Sequence, residues 1–268
     1  MGEYVARSYT TAGEDFVAFL VGRHIGDYEW ERLATALVST GRGDDWSAAI
    51  QDMAVLHLAR RLIAGGASIV ASSADWDLVV EREIKQMVVD TMVVDYFRVG
   101  EIYARLELAV EAARSKISPG TRSQLRSECQ REAPWCYLCG ADLDFGAKNS
   151  ALEFTLDHVW PQAFGGNSDP ENLLPACRSC NERKGHAASW SLYPVQALVH
   201  GYRLSSDDLA AMPKEMRFAV HSRIAMQEAS LSGSSLKEAF VRLGRPDLPT
   251  VVDESASVDV FNLAATFR

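Results

Sequence analysis

Two Cys-x-x-Cys pairs, Cys136 with Cys139 in WCYLCG and Cys177 with Cys180 in ACRSCNERKG, constrain this chain more than any other feature. One such pair suits a buried thiol or a redox couple as well as a metal. Two pairs make a four-thiolate set that suits a structural Zn2+ in tetrahedral coordination, with Zn–S near ~2.3 Å. The gap between the pairs is longer than a plain zinc ribbon needs, so the segment houses something besides the metal. Of the five cysteines in the chain, Cys129 is left over and reads as an ordinary thiol. This usage fits a reducing, cytoplasmic setting rather than a disulfide scaffold.

Between the pairs, residues 152–159 read as a short strand, with Phe154, Leu156 and His158 on one face and Thr155, Asp157 and Val159 on the other. Gly165-Gly166-Asn167 signals a turn, and Asn172-Leu173-Leu174 reads as the returning strand. Ser179 is placed to cap a helix that carries Asn181, Glu182, Arg183 and Lys184. Strand, loop, strand and helix thus set one imidazole among carboxylate and amide side chains. That is the outline of a hydrolytic metal site. Phosphodiester hydrolysis needs a deprotonated water, a Lewis acid on the phosphate and help for the leaving oxygen. A histidine titrating near ~6.5 is neutral and basic at neutral pH. Arg178, Arg183 and Lys184 lie on or beside the helix start, where positive charge and unpaired backbone N–H groups favour phosphate.

These residues resemble the HNH endonucleases, the ββα-metal nuclease family. The shared pattern is Cys-x-x-Cys, Asp-His, Asn-Leu-x-Pro, then Cys-x-x-Cys-Asn-x-x-Lys, within residues 136–184. The resemblance implies that His158 is the general base, that Asp157 and Asn181 ligate a catalytic metal, and that Asn172 holds the loop orienting the His158 ring. It also implies a phosphate contact for Lys184, whose plainer reading is a solvated helix lysine. Many family members carry histidine where this chain has Asn181. Oxygen donors alone, with water positions left open, suit Mg2+ or Mn2+ better than Zn2+ or Ni2+. The oxygen-only set is similar to the HNH domain of RNA-guided nucleases and of some restriction enzymes.

The implied substrate is DNA, with RNA left open because metal and base act on the phosphate rather than the sugar, and the acidic balance bears on which part of the chain meets it. Residues 1–115 carry 11 basic and 18 acidic side chains, whereas 116–190 and 191–268 each carry 8 and 9. Phosphate affinity comes mainly from Lys and Arg, so the N-terminal region is the part least suited to hold DNA. It reads as a docking or oligomerisation region for a second copy, an ATPase or a sensor subunit, as in bacterial restriction or anti-phage systems. The rival reading is a zinc-braced nucleic-acid or protein-binding module without catalysis. The expected fold is mainly α with a small α+β insert. It divides into a helical region over 1–117, an HNH domain over 118–190, and a helical region with an extended tail over 191–268.

Helical spacing runs over 14–38, over 46–64 up to Gly65-Gly66, and over much of 75–114, with a turn at 41–45. Thr121 is placed to cap a helix to about Glu132, which carries Arg122, Arg126 and Arg131, read as a solvated face or a substrate contact. Residues 206–231 and 236–243 read as further helices, the first with Leu209, Met212, Met216, Phe218, Ile224 and Met226 as core. No apolar run approaches the ~20 residues of a membrane span, and residues 1–16 lack the apolar core of a signal peptide.

Overall fold

The computed structural model describes residues 7–24, 43–73, 76–92, 99–188, 207 and 214–246. The helical reading of 25–38, the aromatic residues Trp190 and Tyr193, and the tail from residue 247 lie outside them, as do Leu209 and Met212. Within the described residues the protein is mainly helical with one small sheet. In chain order the elements are α1 (Ala12–His24), α2 (Gly43–Ala71), α3 (Leu78–Met92), α4 (Val99–Arg114), α5 (Pro119–Glu132), β1 (Phe154–His158), β2 (Leu173–Cys177), α6 (Arg178–Lys184), α7 (Lys214–Ser232) and α8 (Leu236–Leu243).

α1 starts at a reciprocal cap. The Glu14 N–H donates to Thr11 Oγ1 at 3.2 Å, and the Glu14 carboxylate accepts from the Thr11 N–H at 2.9 Å. The same carboxylate pairs with the buried Arg7, so the entering chain is held at its first turn. α1, α2, α3 and α4 then bury Phe16, Leu20, Leu62, Ile63, Ile84, Ile102 and Leu106, each at most 2% exposed. Each such side chain contributes roughly 1.5–3 kcal/mol from burial. α2 does not stop at Gly65-Gly66, and residues 43–45 belong to it rather than to a turn. A Cβ on Gly65 would lie 2.3 Å from Met87 Sδ on α3, and one on Gly66 2.8 Å from Val110 Cγ2 on α4. The two glycines serve close helix packing instead of ending the helix.

The expectation that no segment is apolar enough to span a membrane needs correction for α2. Ala54–Ala71 is long and apolar enough by length and composition. Its apolarity has a local cause, because Val55, Leu56, Ala59, Leu62, Ile63 and Val70 are all buried in the helical core.

α5 is capped by Ser118, whose Oγ accepts from the Thr121 N–H at 3.0 Å, with Pro119 opening the helix. Ser118, rather than the expected Thr121, is therefore the cap. α8 begins with a capping box of Ser235 and Glu238. In α7, Phe218 and Met226 are fully buried, but Ile224 is 45% exposed and is not core. One buried cluster runs from Phe16 through the sheet to Phe240, so the core is continuous across residues 117–118. Hydrogen bonds reinforce that continuity: the Gly13 N–H donates to Gly165 O at 3.0 Å, and the side-chain Nδ2 of Asn167 donates to Thr10 O at 3.4 Å.

Candidate active site and zinc centre

β1 and β2 pair antiparallel, with Phe154 opposite Cys177 at one end and His158 opposite Leu173 at the other. The Cys177 end carries four cysteines that could hold a metal ion. Gly140 takes a φ of +73°, which lets its N–H turn back to Cys136 O at 2.8 Å and close the first knuckle. The knuckle is tied to the sheet by the Tyr137 N–H on Pro175 O at 2.9 Å. The Sγ atoms of Cys136, Cys139, Cys177 and Cys180 all lie within 4.8 Å of one another, with Cys139 and Cys177 3.9 Å apart. A regular tetrahedron at Zn–S ~2.3 Å has sulfurs ~3.8 Å apart. The residues fit zinc. Burial pushes the Cys136 thiol up, while the hydrogen bond from Cys136 holds the Cys177 thiol below its ordinary value. Loading the site therefore expels protons from a buried thiol cluster. Cys129 is a buried thiol elsewhere, raised to about 11 by burial.

The first turn of α6 is spent on this centre. Its cap is Cys177, whose Sγ accepts from the Cys180 N–H at 3.4 Å, and not the expected Ser179. The Arg178 and Ser179 N–H groups donate to Glu153 O at 2.9 Å and Ala151 O at 3.0 Å. The backbone N–H groups expected to receive a phosphate here are already paired. Arg178 is engaged with Glu182 at 2.7 Å and Glu153 at 3.2 Å. It stands at the Phe154 end of β1, about 15 Å of strand away from His158. Arg183 borders the same shallow groove as Arg178, beside Asn149 and Glu182. On α5, Arg126 reaches Phe145 O and lies over the rings of Phe145 and Phe154, and Arg131 pairs with Glu132.

The other end of the hairpin holds residues expected to carry the chemistry. Asp157 is 3% exposed. Its carboxylate accepts from Tyr137 Oη and is paired with Lys184 Nζ, 2.8 Å from Oδ2 and 3.1 Å from Oδ1. Lys184 is 2% exposed and also donates to His158 O at 2.8 Å. It is neither a solvated lysine nor a cation presented to a phosphate, because its ammonium is committed to β1. Burial, followed by the facing Asp157 charge, holds the Tyr137 phenol far above its ordinary value. Asn181 is half-buried on α6 and donates through Nδ2 to Thr155 Oγ1 at 3.0 Å and Leu156 O at 3.2 Å. As these side chains stand, Asp157 does not offer a cation a vacant position: both of its oxygens have protein partners, one of them positively charged.

His158 is half-buried, and its Nε2 lies 3.1 Å from Ser168 Oγ. Desolvation lowers its pKa, against the raising effect of Asp157, with Lys184 and His186 adding to the lowering. The ring is neutral at neutral pH. The loop that follows is clamped by buried Asn172. Its Oδ1 accepts from the Trp160 N–H at 2.7 Å, and its Nδ2 donates to Trp160 O at 3.0 Å and Asn167 O at 2.8 Å. Gly166 is required in that clamp, since a Cβ there would lie 1.9 Å from Trp160 O. Asp157, His158 and Lys184 thus share one end of β1, Asn181 contacts its middle at Thr155 and Leu156, and Arg178 lies by the other end. Sequence reasoning missed Tyr137, Ser168, Gln162 and Ser115. Tyr137 sits inside the first Cys-x-x-Cys, but nothing in the spacing signals that its hydroxyl meets Asp157.

No curated protein and no solved structure gives a significant match to the chain. Residues 136–192, the segment that opens on the first cysteine pair and runs past the end of α6, match the HNH endonuclease family model.

Proposed function

We propose that the protein is a metal-dependent endonuclease of the HNH type that hydrolyses DNA phosphodiester bonds. The observation that carries this reading is His158, neutral and half-exposed at the end of a strand braced by four convergent thiols. A neutral imidazole there can take a proton from an attacking water. Asn172 holds the loop beyond it, and Arg183 adds positive charge on α6.

Mg2+ or Mn2+ is the ion that the oxygen donors Asp157 and Asn181 select. Its entry has a condition. Lys184 must leave Asp157 first, because the buried carboxylate already carries the ammonium as its counter-charge. The filled Asp157 favours one alternative reading, a zinc-braced nucleic-acid or protein-binding module without catalysis.

Cleavage of circular and linear DNA by wild type and His158→Ala, with Mg2+ supplied, separates the two. Loss of the general base lowers turnover by about 10²–10⁴-fold; cleavage no greater than background by both proteins would support the binding module. A single active site nicks one strand per encounter, so double-strand cleavage requires two copies or two events. The acidic excess of residues 1–115 and the exposed Leu78, Val79 and Leu108 support docking of a second copy, an ATPase or a sensor subunit. A cytoplasmic, reducing setting keeps the thiols available for zinc, and the nuclease effector of a bacterial restriction or anti-phage system is the role that fits this architecture.

A further inference from the structure

The His158 ring is held by residues that belong to no part of the Cys-x-x-Cys, Asp-His and Asn pattern. Ser168 Oγ, 3.1 Å from His158 Nε2, lies 3.0 Å from Ser115 O. Gln162 Nε2 reaches both, at 2.7 Å to Ser115 O and 3.2 Å to Ser168 Oγ. Ser115 also anchors Ser168 from the other side, its Oγ accepting from the Ser168 N–H at 2.8 Å while its own hydroxyl donates to Ala112 O at 2.7 Å. Ser168 is 6% exposed, so water does not compete freely for it. Ser115 follows directly on α4, in the helical region that the family pattern does not cover.

Counting donors and acceptors favours one placement of the protons. A carbonyl only accepts, so the Gln162 amide must present its nitrogen to Ser115 O, and the second N–H of that nitrogen points to Ser168 Oγ. The Ser168 hydroxyl has one hydrogen, and its Oγ stands 3.0 Å from Ser115 O and 3.1 Å from His158 Nε2. Given to the nearer carbonyl, the hydrogen leaves Ser115 O with two donors. The Ser168 oxygen is then left as an acceptor toward His158, which requires a hydrogen on Nε2. In this arrangement Ser115 O accepts from both Gln162 Nε2 and Ser168 Oγ. Reversing the His158 tautomer would turn the Ser168 hydroxyl away from the carbonyl. No described residue hydrogen-bonds Nδ1.

We propose that Ser168, backed by Ser115 and Gln162, is a positioning residue that fixes His158 as the Nε2–H tautomer and leaves Nδ1 as the atom that accepts the proton from water. The catalytic meaning of this assignment rests on the nuclease reading; the tautomer itself does not. It also makes the helical region, through Ser115, part of the support of the base.

Long-range 1H–15N correlation spectra of the zinc-loaded, full-length protein, with labelled histidine and the ring neutral, report the tautomer directly. Wild type is expected to show His158 with Nε2 protonated. Ser168→Ala is expected to shift it toward a tautomer mixture and to lower kcat on the order of ten-fold with KM little changed, short of the ~10²–10⁴-fold cost of losing the base. Ser168→Thr, which keeps the hydroxyl, is expected to restore both readouts. Ser115→Ala, which keeps the Ser115 carbonyl but removes the hydroxyl that anchors the Ser168 N–H and bonds Ala112 O, is expected to move both in the same direction by less. An Nδ1–H tautomer in wild type overturns the proposal, as does a Ser168→Ala protein with unchanged tautomer and unchanged kcat. A wild type that shows the Nε2–H tautomer but cleaves no DNA overturns the nuclease reading while the assignment of the protons stands.

Discussion

At the Phe154–Cys177 end of the hairpin, four like groups from two short sequence motifs converge on one point. At the His158–Leu173 end, unlike groups arrive from distant parts of the chain: Tyr137 from the knuckle, Lys184 from the last turn of α6, Ser168 and Gln162 from the loop, and Ser115 from behind α4. The first end is a closed site whose only demand is four sulfurs at the right spacing. The second is a balance of charge and hydrogen bonds in which each group depends on its neighbours. The difference teaches that the bracing end should fail all at once, and the chemical end by degrees.

Removing zinc is the largest test of that contrast. Structural zinc contributes an apparent ~10–16 kcal/mol in small zinc domains at neutral pH. Chelation, or Cys180→Ser, should therefore abolish the ordered hairpin, as read by near-ultraviolet circular dichroism together with one zinc per chain lost. Survival of the tertiary signal without metal would show that the helical core holds the hairpin unaided.

Next comes Lys184→Met, which leaves the Asp157 carboxylate buried without its cation. Breaking a buried pair in this way costs about 3–5 kcal/mol. Added Mg2+ should recover much of that stability in a denaturant titration if the vacated carboxylate accepts an ion. A mutant that is destabilised but indifferent to Mg2+ would count against Asp157 as a metal ligand.

A smaller effect is read in pH. His221 is packed against the Phe240 ring at 5.5 Å, beneath Tyr137, and burial lowers its pKa from 6.5 to about 4. The unfolded chain takes up this proton near 6.5 and the folded chain only near 4, so the stability is complete above the higher value and drains as pH falls toward the lower one. Over that window the loss is about 3 kcal/mol. His221→Gln should flatten that part of the stability profile, and an unchanged slope would exclude His221 as its source. The smallest change is Ser235→Ala at the start of α8, worth about 1 kcal/mol as a lost cap. It should leave zinc content and cleavage as they were, since it touches neither end of the hairpin.

How much of this could be read in advance follows the same division. The zinc cysteines, the two strands, α6 and α8 were legible because spacing and periodicity are local signals. Caps were misplaced by short distances, to Thr121 instead of Ser118 and to Ser179 instead of Cys177, because any of several hydroxyl or thiol groups near a helix start can accept the same N–H. Gly65-Gly66 read as a stop, since the reason for the glycines lies on α3 and α4 rather than in their own helix. Lys184 was legible as a cation near the site but not as the partner of Asp157, because burial of both is a property of the folded arrangement. Ser115 carried no signal at all.

The approach of Gly13 to Gly165 has a practical consequence. A Cβ on Gly13 would fall 1.9 Å from Phe164 O, and one on Gly165 2.7 Å from the Gly13 Cα. The loop behind the imidazole is therefore seated against bare main chain from the opening helix. Anyone transplanting the cysteine-to-lysine cassette into a foreign host would carry across the front of the machine without its rear wall.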